Sequence, residues 1–302
     1  MQQLKKEHFI THFSAENKPA YKVRLNETFA VETFDCYGGK ITSETQLRTE
    51  VDIPFINPAT GPIEIEGVKK GDILCINIQN IELDEAGVMV LYPGMGVLGE
   101  DVKETDTRII RVKDGHIQFN SQLQFPAAPM IGVIGVAPEK GAVLCETPGD
   151  HGGNMDTRWI TTGSTLYLPV FHDGALLALG DLHAAMGDGE LDGSGVEIGG
   201  KVTLQCTKLA GAPAIGMPAV ETDRAWFLIS SAETVEAATK KGMRAAANRF
   251  RAAFGLGFND AYRLLSATCS LEISQIVNPL VTVRIAVPKA VLPDLFAPGP
   301  LL

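Results

Sequence analysis

The segment from Gly180 to Glu190 concentrates side chains that can do chemistry. It holds three carboxylates, one imidazole and three glycines. It follows the apolar run 175–179, which has the length of a buried strand. If that strand continues, its two-residue period predicts a common face for four side chains: Leu177, Leu179, Asp181 and His183. The pattern therefore predicts a carboxylate and an imidazole side by side where a buried strand ends.

Asp181 and His183 predict metal-assisted hydrolysis. They would hold a divalent ion with one position left open for water. Nitrogen and oxygen ligands without a thiolate favour zinc or another transition metal. Gly187 and Gly189 permit a sharp turn that brings Glu190 back to the same place, where it would take a proton from the water. The alternative is an acidic surface turn with one exposed histidine.

Asp188 permits a second interpretation of the same segment. The run 188–193 partly matches the D-x-D-x-D-G start of an oxygen-lined calcium loop. The twelfth position of that loop is Gly199, where an EF-hand requires glutamate, so an EF-hand is not predicted. Asp188 is left open between a second ion, for which calcium is the candidate, and ordinary loop structure.

A second polar segment, 148–156, follows a predicted strand at 142–145. Gly152 and Gly153 leave backbone N–H groups accessible, as binding of a developing oxyanion would require. The polar side chains around these glycines extend the predicted substrate site: His151, Asn154 and Asp156. A hairpin loop that needs positive φ angles explains the glycines equally well, but it does not explain the histidine.

Asp35 ends a strand-like run at 30–34 and precedes the flexible Gly38-Gly39 pair. Either Asp35 or His151 is predicted to supply a third metal ligand from another loop, and the sequence does not decide between them. The alternative for Asp35 is an Asx turn, in which the carboxylate accepts hydrogen bonds from its own backbone.

Short apolar runs separated by turns predict a mainly β, β-sandwich-like fold with a smaller α/β portion toward the C-terminus. The predicted strands are 20–23, 29–34, 53–55, 63–65, 73–78, 142–145, 225–229, 269–273 and 280–285. We expect a single catalytic unit over residues 1–302, with a subdivision near 210–222 left open.

Two helices are predicted in the C-terminal portion. Small and apolar residues recur at three- or four-residue steps from Val235 to Phe254, and Gly255 offers a stop. A capping box at 230–233 would begin this helix. Asn259 is the predicted cap of a shorter helix over 261–265.

Composition excludes several classes of protein. The formal net charge is −10 and the basic residues form no stripe, so nucleic acid is not an expected partner. No apolar run reaches membrane-spanning length, so no membrane contact is expected. The five cysteines are scattered and odd in number, which together with the absence of a secretory signal predicts a reduced cytoplasm. The G-x-S-x-G, P-loop and dinucleotide-binding motifs are absent.

Three segments resemble the acetamidase/formamidase family. They are Gly180-Asp181-Leu182-His183-Ala184 with Gly187-Asp188-Gly189-Glu190, Gly152-Gly153-Asn154-Met155-Asp156, and Asn57-Pro58-Ala59-Thr60-Gly61-Pro62. The resemblance implies a mainly β fold and the hydrolysis of short aliphatic amides, such as acetamide or formamide, to carboxylate and ammonia. Longer formamidase-like members often carry Gln where this chain has Met186, which favours the acetamidase-like branch.

A different class of function is also open at this stage: a metal-stabilised β module that binds a small molecule without turning it over. In either case the expected partner is a small molecule. A chain of this size is also expected to form a homodimer or a higher homo-oligomer.

Overall fold

Two large β-sheets carry most of the chain and pack face to face. The structure is a computed structural model and describes residues 1–213, 215–297 and 299–300. The elements up to residue 135 are β1 (Gln2–Leu4), β2 (Phe9–Ile10), β3 (His12–Ser14), β4 (Tyr21–Arg24), β5 (Thr28–Thr33), β6 (Ala59–Glu66), β7 (Ile73–Leu83), β8 (Ala86–Leu91), β9 (Asp106–Lys113), β10 (His116–Gln118), β11 (Gln124–Pro126) and β12 (Met130–Gly135). The later elements are β13 (Ala142–Leu144), β14 (Gly152–Asn154), β15 (Thr165–Pro169), β16 (Leu177–His183), β17 (Glu197–Ile198), β18 (Gly200–Leu209), β19 (Ala219–Glu221), β20 (Ala225–Ala232), α1 (Val235–Phe254), α2 (Phe258–Thr268), β21 (Ser270–Gln275) and β22 (Val281–Pro288).

The first sheet has nine strands in the order β1-β5-β18-β7-β15-β19-β20-β22-β21. The second has eleven and contains the path β11-β10-β9-β8-β17-β16-β12-β14, with β6 pairing β16, β2 and β4. Leu74 and Ile76 on β7 and Leu179 and Leu182 on β16 belong to one buried cluster, which therefore fills the space between the two sheets. The predicted β-sandwich-like fold is confirmed.

The two helices cover the opposite face of the nine-stranded sheet. On β20, Phe227 faces the core between the sheets, whereas Trp226 and Leu228 pack in a second cluster with Phe250 of α1 and Leu265 of α2. This strand is buried on both faces, which explains its nearly continuous apolar run. The smaller α/β portion toward the C-terminus is therefore confirmed.

Several predicted boundaries change in the structure. Residues 53–55 form no strand, because Pro54 lacks the N–H that a ladder needs, and Ile53 packs instead in a small cluster with Val88 and Val90 of β8. The predicted capping box at 230–233 is wrong, since residues 230–232 belong to β20. Asn259 is not a cap either, because α2 begins at Phe258 with Gly257 as its N-cap.

The division of the chain near 210–222 stays a prediction. Ala214, within that range, lies outside the described residues. Strand β19 also falls in it, and it joins β15 to β20 within the nine-stranded sheet. Among the described residues, no helix combines the length and apolar character needed to cross a membrane.

Thr234 is the N-cap of α1, and we expect Thr234→Ala to destabilise the protein. Its side chain accepts a hydrogen bond from the Ala237 N–H at 3.1 Å, and its backbone is extended, with φ −138°. Loss of such a cap typically costs about 1 kcal/mol. Urea denaturation measures the change, and Thr234→Ser, which keeps the hydroxyl, serves as the control. An unfolding free energy equal to wild type in Thr234→Ala would contradict the assignment.

Candidate active site

Strand β16 places Asp181 and His183 in the interior, but not on the predicted face. Leu177 and Leu179 belong to the core between the sheets, and so does Leu182. The alternation of side chains therefore changes phase near Asp181, whose φ of 56° lies in the left-handed region. The predicted common face of the two leucines with Asp181 and His183 is thus wrong, because a regular two-residue period does not hold through that bend.

The neighbouring strand leaves space for the acidic groups at Gly132. Strand β12 pairs with β16, with Met130 opposite His183 and Ile131 opposite Leu182. A Cβ atom on Gly132 would lie 2.6 Å from Asp156 Oδ1 and 2.7 Å from Asp181 Oδ2. Only a glycine at this position lets the two carboxylates approach the strand so closely.

Five ionisable side chains meet at this point: Asp156, Asp181, His183, Glu190 and Glu197. All are buried. His183 Nε2 lies 3.2 Å from Glu197 Oε2, 3.7 Å from Asp181 Oδ1 and 4.0 Å from Asp156 Oδ1. No lysine or arginine forms an ion pair with these four acids within the described residues. Four buried carboxylates with a single imidazole thus leave excess negative charge that needs a cation or protons.

The ligand atoms of the cluster fall into two sets. Atoms of Asp156, His183 and Glu190 lie within 4.8 Å of one another, and so do atoms of Cys36, Asp181 and Glu197. Both sets are spaced closely enough to surround one ion each, or to share one site.

In three of the carboxylates one oxygen accepts a hydrogen bond and the other has no hydrogen-bond partner among the described residues. Asp181 Oδ2 accepts from Asn57 Nδ2 at 3.1 Å, and Asp156 Oδ2 accepts from Asn278 Nδ2 at 2.5 Å. Glu197 Oε1 accepts from the Gly195 N–H at 2.9 Å and from Ser194 Oγ at 3.1 Å. The atoms with no hydrogen-bond partner among the described residues are Asp156 Oδ1, Asp181 Oδ1, Glu197 Oε2, Glu190 Oε2 and both ring nitrogens of His183.

This pattern fits a cation site. Buried polar atoms are nearly always hydrogen-bonded, so a group of free atoms directed at one another requires another partner. Hydrogen bonds to the second oxygen of each acid are the outer contacts that typically orient metal ligands.

The pKa values of the cluster reflect burial and mutual repulsion. Burial raises the pKa of Asp181 well above its ordinary value, and Glu197 adds to this. Burial likewise raises the pKa of Asp156. Burial together with the charge of Asp156 raises the pKa of Glu190 well above its ordinary value. For His183, burial favours the neutral ring, but Glu197 and Asp181 outweigh it and raise the pKa well above normal. For Glu197, burial opposes ionisation, yet attraction to His183 brings the pKa below normal.

A cavity of about 350 Å³ opens onto the cluster. Asp181, Glu190, Glu197 and Asn154 are among the residues that line it. Asn154 is buried and its Oδ1 has no hydrogen-bond partner among the described residues. The structure therefore brings together four residues that the sequence analysis assigned to one site: Asp156, Asp181, His183 and Glu190. Asn154 lies beside them.

The two candidates for a third ligand lie outside both ligand sets. Asp35 Oδ1 accepts from the backbone N–H groups of Tyr37 at 2.8 Å and Gly39 at 2.9 Å, which is the Asx turn of the alternative interpretation. Burial raises the pKa of Asp35. His151 is buried, and its ring lies 5.2 Å from that of Phe13, centroid to centroid, at an interplanar angle of 67°.

The structure gives Gly152 and Gly153 a structural role. Gly152 donates its N–H to the Gly149 carbonyl at 3.1 Å, and both glycines pair with β12. Neither lines the cavity. The oxyanion role predicted for these two glycines therefore has no support in the geometry, because the tight turn and the ladder use this backbone.

Glu197 and Cys36 are the site residues that the sequence did not indicate. Glu197 follows Val196 and precedes Ile198, so an acidic side chain within a short apolar strand was the available signal. Cys36 is adjacent to Asp35, and burial raises the pKa of its thiol well above normal. Glu197 joins the site because β17 pairs with β16, which places Glu197 opposite His183. The sequence alone does not show this pairing.

His151 makes the stability of the protein depend on pH. Burial lowers its pKa from 6.5 to about 4. Between these values the unfolded chain binds more protons, so the free energy of unfolding decreases as the pH falls from 6.5 toward 4, and is unaffected above this window. Each pKa unit corresponds to about 1.4 kcal/mol, so the full effect is roughly 3 kcal/mol.

The measurement is urea denaturation of wild type and His151→Gln at pH 7 and pH 5. The variant should lose less stability than wild type between the two values, because glutamine does not titrate. Equal losses in the two proteins would contradict the assignment.

A sequence profile of the acetamidase/formamidase family matches residues 2–147 and 141–294. The chain belongs to that family, and the resemblance seen in the sequence is confirmed. An acetamidase from Bacillus halodurans is 41% identical and superimposes with a TM-score of 0.94, covering 98% of this chain and 100% of that one. A protein described as a predicted acetamidase/formamidase from Thermoanaerobacter tengcongensis is 44% identical, with a TM-score of 0.94 and 97% of each chain covered.

The formamidase from Methylophilus methylotrophus is more distant. It is 24% identical over 245 residues, which is 61% of this chain. The chain spans 60% of the length of that curated relative and the same share of its Schizosaccharomyces pombe relative.

Proposed function

We propose that this protein is an amidohydrolase that cleaves short aliphatic amides, acetamide or formamide, to carboxylate and ammonia, and that it depends on a divalent cation. The observation that carries the proposal is the cluster of carboxylate and imidazole atoms without hydrogen-bond partners among the described residues, three of whose acids, Asp181, Glu190 and Glu197, line the cavity. Membership of the acetamidase/formamidase family supports the reaction class.

The residues that would hold the cation are Asp156, Asp181, His183 and Glu197, with Cys36 beside them. Mixed nitrogen and oxygen donors favour zinc, and the carboxylate-rich composition leaves calcium as the candidate for a second ion. A bound zinc ion supplies a water of lowered pKa and polarises a carbonyl group.

Glu190 is the proposed proton acceptor. Burial and the neighbouring Asp156 raise its pKa, which makes its carboxylate a stronger base; it would take a proton from the attacking water and hand it to the leaving nitrogen. Its Oε2 atom has no hydrogen-bond partner among the described residues, so it has a free lone pair to offer.

Asn154 is the proposed substrate-orienting group. Its side-chain amide lies in the cavity wall and can hydrogen-bond the amide of the substrate. It takes the substrate-binding role that the sequence analysis had assigned to the two glycines together with Asn154 and Asp156.

The test combines elemental analysis of the purified protein with ammonia release from formamide, acetamide and propionamide. We expect a transition metal in the protein, release from at least one amide, loss of release after chelation and its return on adding zinc. Binding of an amide without release from metal-replete protein would instead favour the non-catalytic β module. Analytical ultracentrifugation of the same sample tests the expected homo-oligomer.

A further inference from the structure

Arg284 is a fully buried arginine on β22 that does not line the cavity. Its Nε donates to Glu272 Oε2 at 2.7 Å, and its Nη2 donates to Asp188 Oδ2 at 2.5 Å. Its Nη1 donates to the Ile273 carbonyl at 3.1 Å and to Ser274 Oγ at 3.2 Å. One guanidinium therefore ties the C-terminal strands to the loop that follows β16.

That loop carries Glu190, two residues beyond Asp188. Gly189 between them donates its N–H to the Ser274 carbonyl at 2.8 Å and accepts from the Ile276 N–H at 3.2 Å. Glu190 itself has a φ of 50°, a conformation that a non-glycine residue keeps only when its surroundings hold it. The ion pair with Arg284 and these two backbone bonds join the loop to the C-terminal strands, and Arg158 lies at 4.0 Å from the same Asp188 oxygen.

The same C-terminal segment also reaches Asp156. Asn278 donates to Asp156 Oδ2 at 2.5 Å and to the Asn154 carbonyl at 3.3 Å. Thr157 Oγ1 donates to Ser274 Oγ at 2.9 Å. Ser274 is thus bonded to Arg284, to Thr157 next to Asp156, and to Gly189 next to Glu190. Arg284 therefore contacts the segment that holds the neighbours of both site carboxylates.

We propose that Arg284 is a positioning residue that fixes Glu190 for proton transfer through its ion pair with Asp188. The proposal rests on the proposed function, in which Glu190 is the proton acceptor. The planar guanidinium presents several donors in a fixed geometry, so one side chain can hold Asp188, Glu272 and the β21 backbone in a single arrangement. The ion pair also gives Asp188 a protein cation as its partner, where the sequence had left a second metal ion open.

Glu272 provides a matched control. Its carboxylate contacts the same guanidinium and is exposed to a similar degree, 32% against 36% for Asp188. It lies on β21 two residues before Ser274, and among the described residues its carboxylate bonds to Arg284 and not to the Glu190 loop. Asp188→Asn and Glu272→Gln therefore remove the same charge from the same arginine, but only the first loosens the loop.

The experiment measures ammonia release from the preferred amide by wild type, Asp188→Asn and Glu272→Gln, each loaded with zinc. Because a misplacement of about 1 Å can cost on the order of 100-fold in rate, we expect Asp188→Asn to lower kcat by about 10- to 100-fold with KM nearly unchanged. Glu272→Gln should stay within about 3-fold of wild type, since no group that touches substrate moves. Asp188→Glu, which keeps the charge but lengthens the side chain, should also lower kcat.

Hydrogen exchange gives a readout that does not depend on turnover. Exchange of the peptide covering 185–193 should rise in Asp188→Asn and remain at the wild-type level in Glu272→Gln. Equal losses of kcat in the two variants, or unchanged exchange in Asp188→Asn, would overturn the proposal. If wild type releases no ammonia from any amide, the proposed function fails, while the exchange comparison still decides whether Arg284 fixes the loop.

Discussion

Glu190→Gln is expected to lower kcat for amide hydrolysis by about 100- to 10,000-fold, the usual contribution of a positioned general base. Glutamine has the same shape but cannot take a proton from water. Glu190 also belongs to one of the two ligand sets, so the metal content of the variant must be measured beside its rate. A variant that keeps its metal and its fold and loses turnover assigns proton transfer to Glu190, whereas an unchanged kcat would remove the residue from the mechanism.

The same substitution should stabilise the protein once the cation has been removed. Burial and Asp156 raise the pKa of Glu190, so the folded state retains a proton that the unfolded chain releases. The contribution of Glu190 to stability therefore falls as the pH rises above its ordinary value, and glutamine avoids that loss. Urea denaturation of chelator-treated proteins at pH 8 should give the variant the higher midpoint, and the gap should close toward pH 4.

Gly132→Ala is expected to have the second-largest effect, because a methyl group there would collide with both Asp156 and Asp181. The added Cβ atom would lie 2.6 Å from Asp156 Oδ1 and 2.8 Å from the Asp181 carbonyl oxygen. Overpacking of this kind costs about 1–3 kcal/mol of stability. Displacing oriented ligands typically lowers metal affinity by about 10- to 100-fold.

The readouts are the urea midpoint and the zinc affinity measured by calorimetry. Gly257→Ala is the control, since nothing lies within 4 Å of a Cβ atom at that position and neither glycine has a left-handed backbone. Zinc affinity of Gly132→Ala equal to that of Gly257→Ala would show that the two carboxylates do not bind the ion together.

Local patterns predicted the elements but not the contacts between them. The helical period from Val235 to Phe254 and the stop at Gly255 are observed as predicted, because both depend on neighbours within a few residues. The strand ending at His183 is also observed. The alternation pattern did not predict the phase change at Asp181, because a regular two-residue period assumes extended backbone throughout, whereas Asp181 has a φ of 56°.

Long-range pairing explains the remaining errors and omissions. Glu197 enters the site through the register of β17 against β16, and Asn278 reaches Asp156 across 122 positions of sequence. Neither relation has a local signature. Asp156 and Asp181, from two separate polar segments, lie together in the structure, whereas Asp35 and His151, which were proposed as ligands from their places beside glycine-containing loops, lie outside both ligand sets.

The order in which the site residues occur along the chain has a consequence for synthesis on the ribosome. The clustered acids and His183 lie between positions 156 and 197, whereas their supports Asn278 and Arg284 follow some 80 residues later. Translation proceeds at about 5–20 residues per second, so the acidic groups wait several seconds for the strands that orient them. A nascent chain would thus carry these acids before Asn278 and Arg284 exist, and the arrangement described here is complete only after β21 and β22 have emerged and docked.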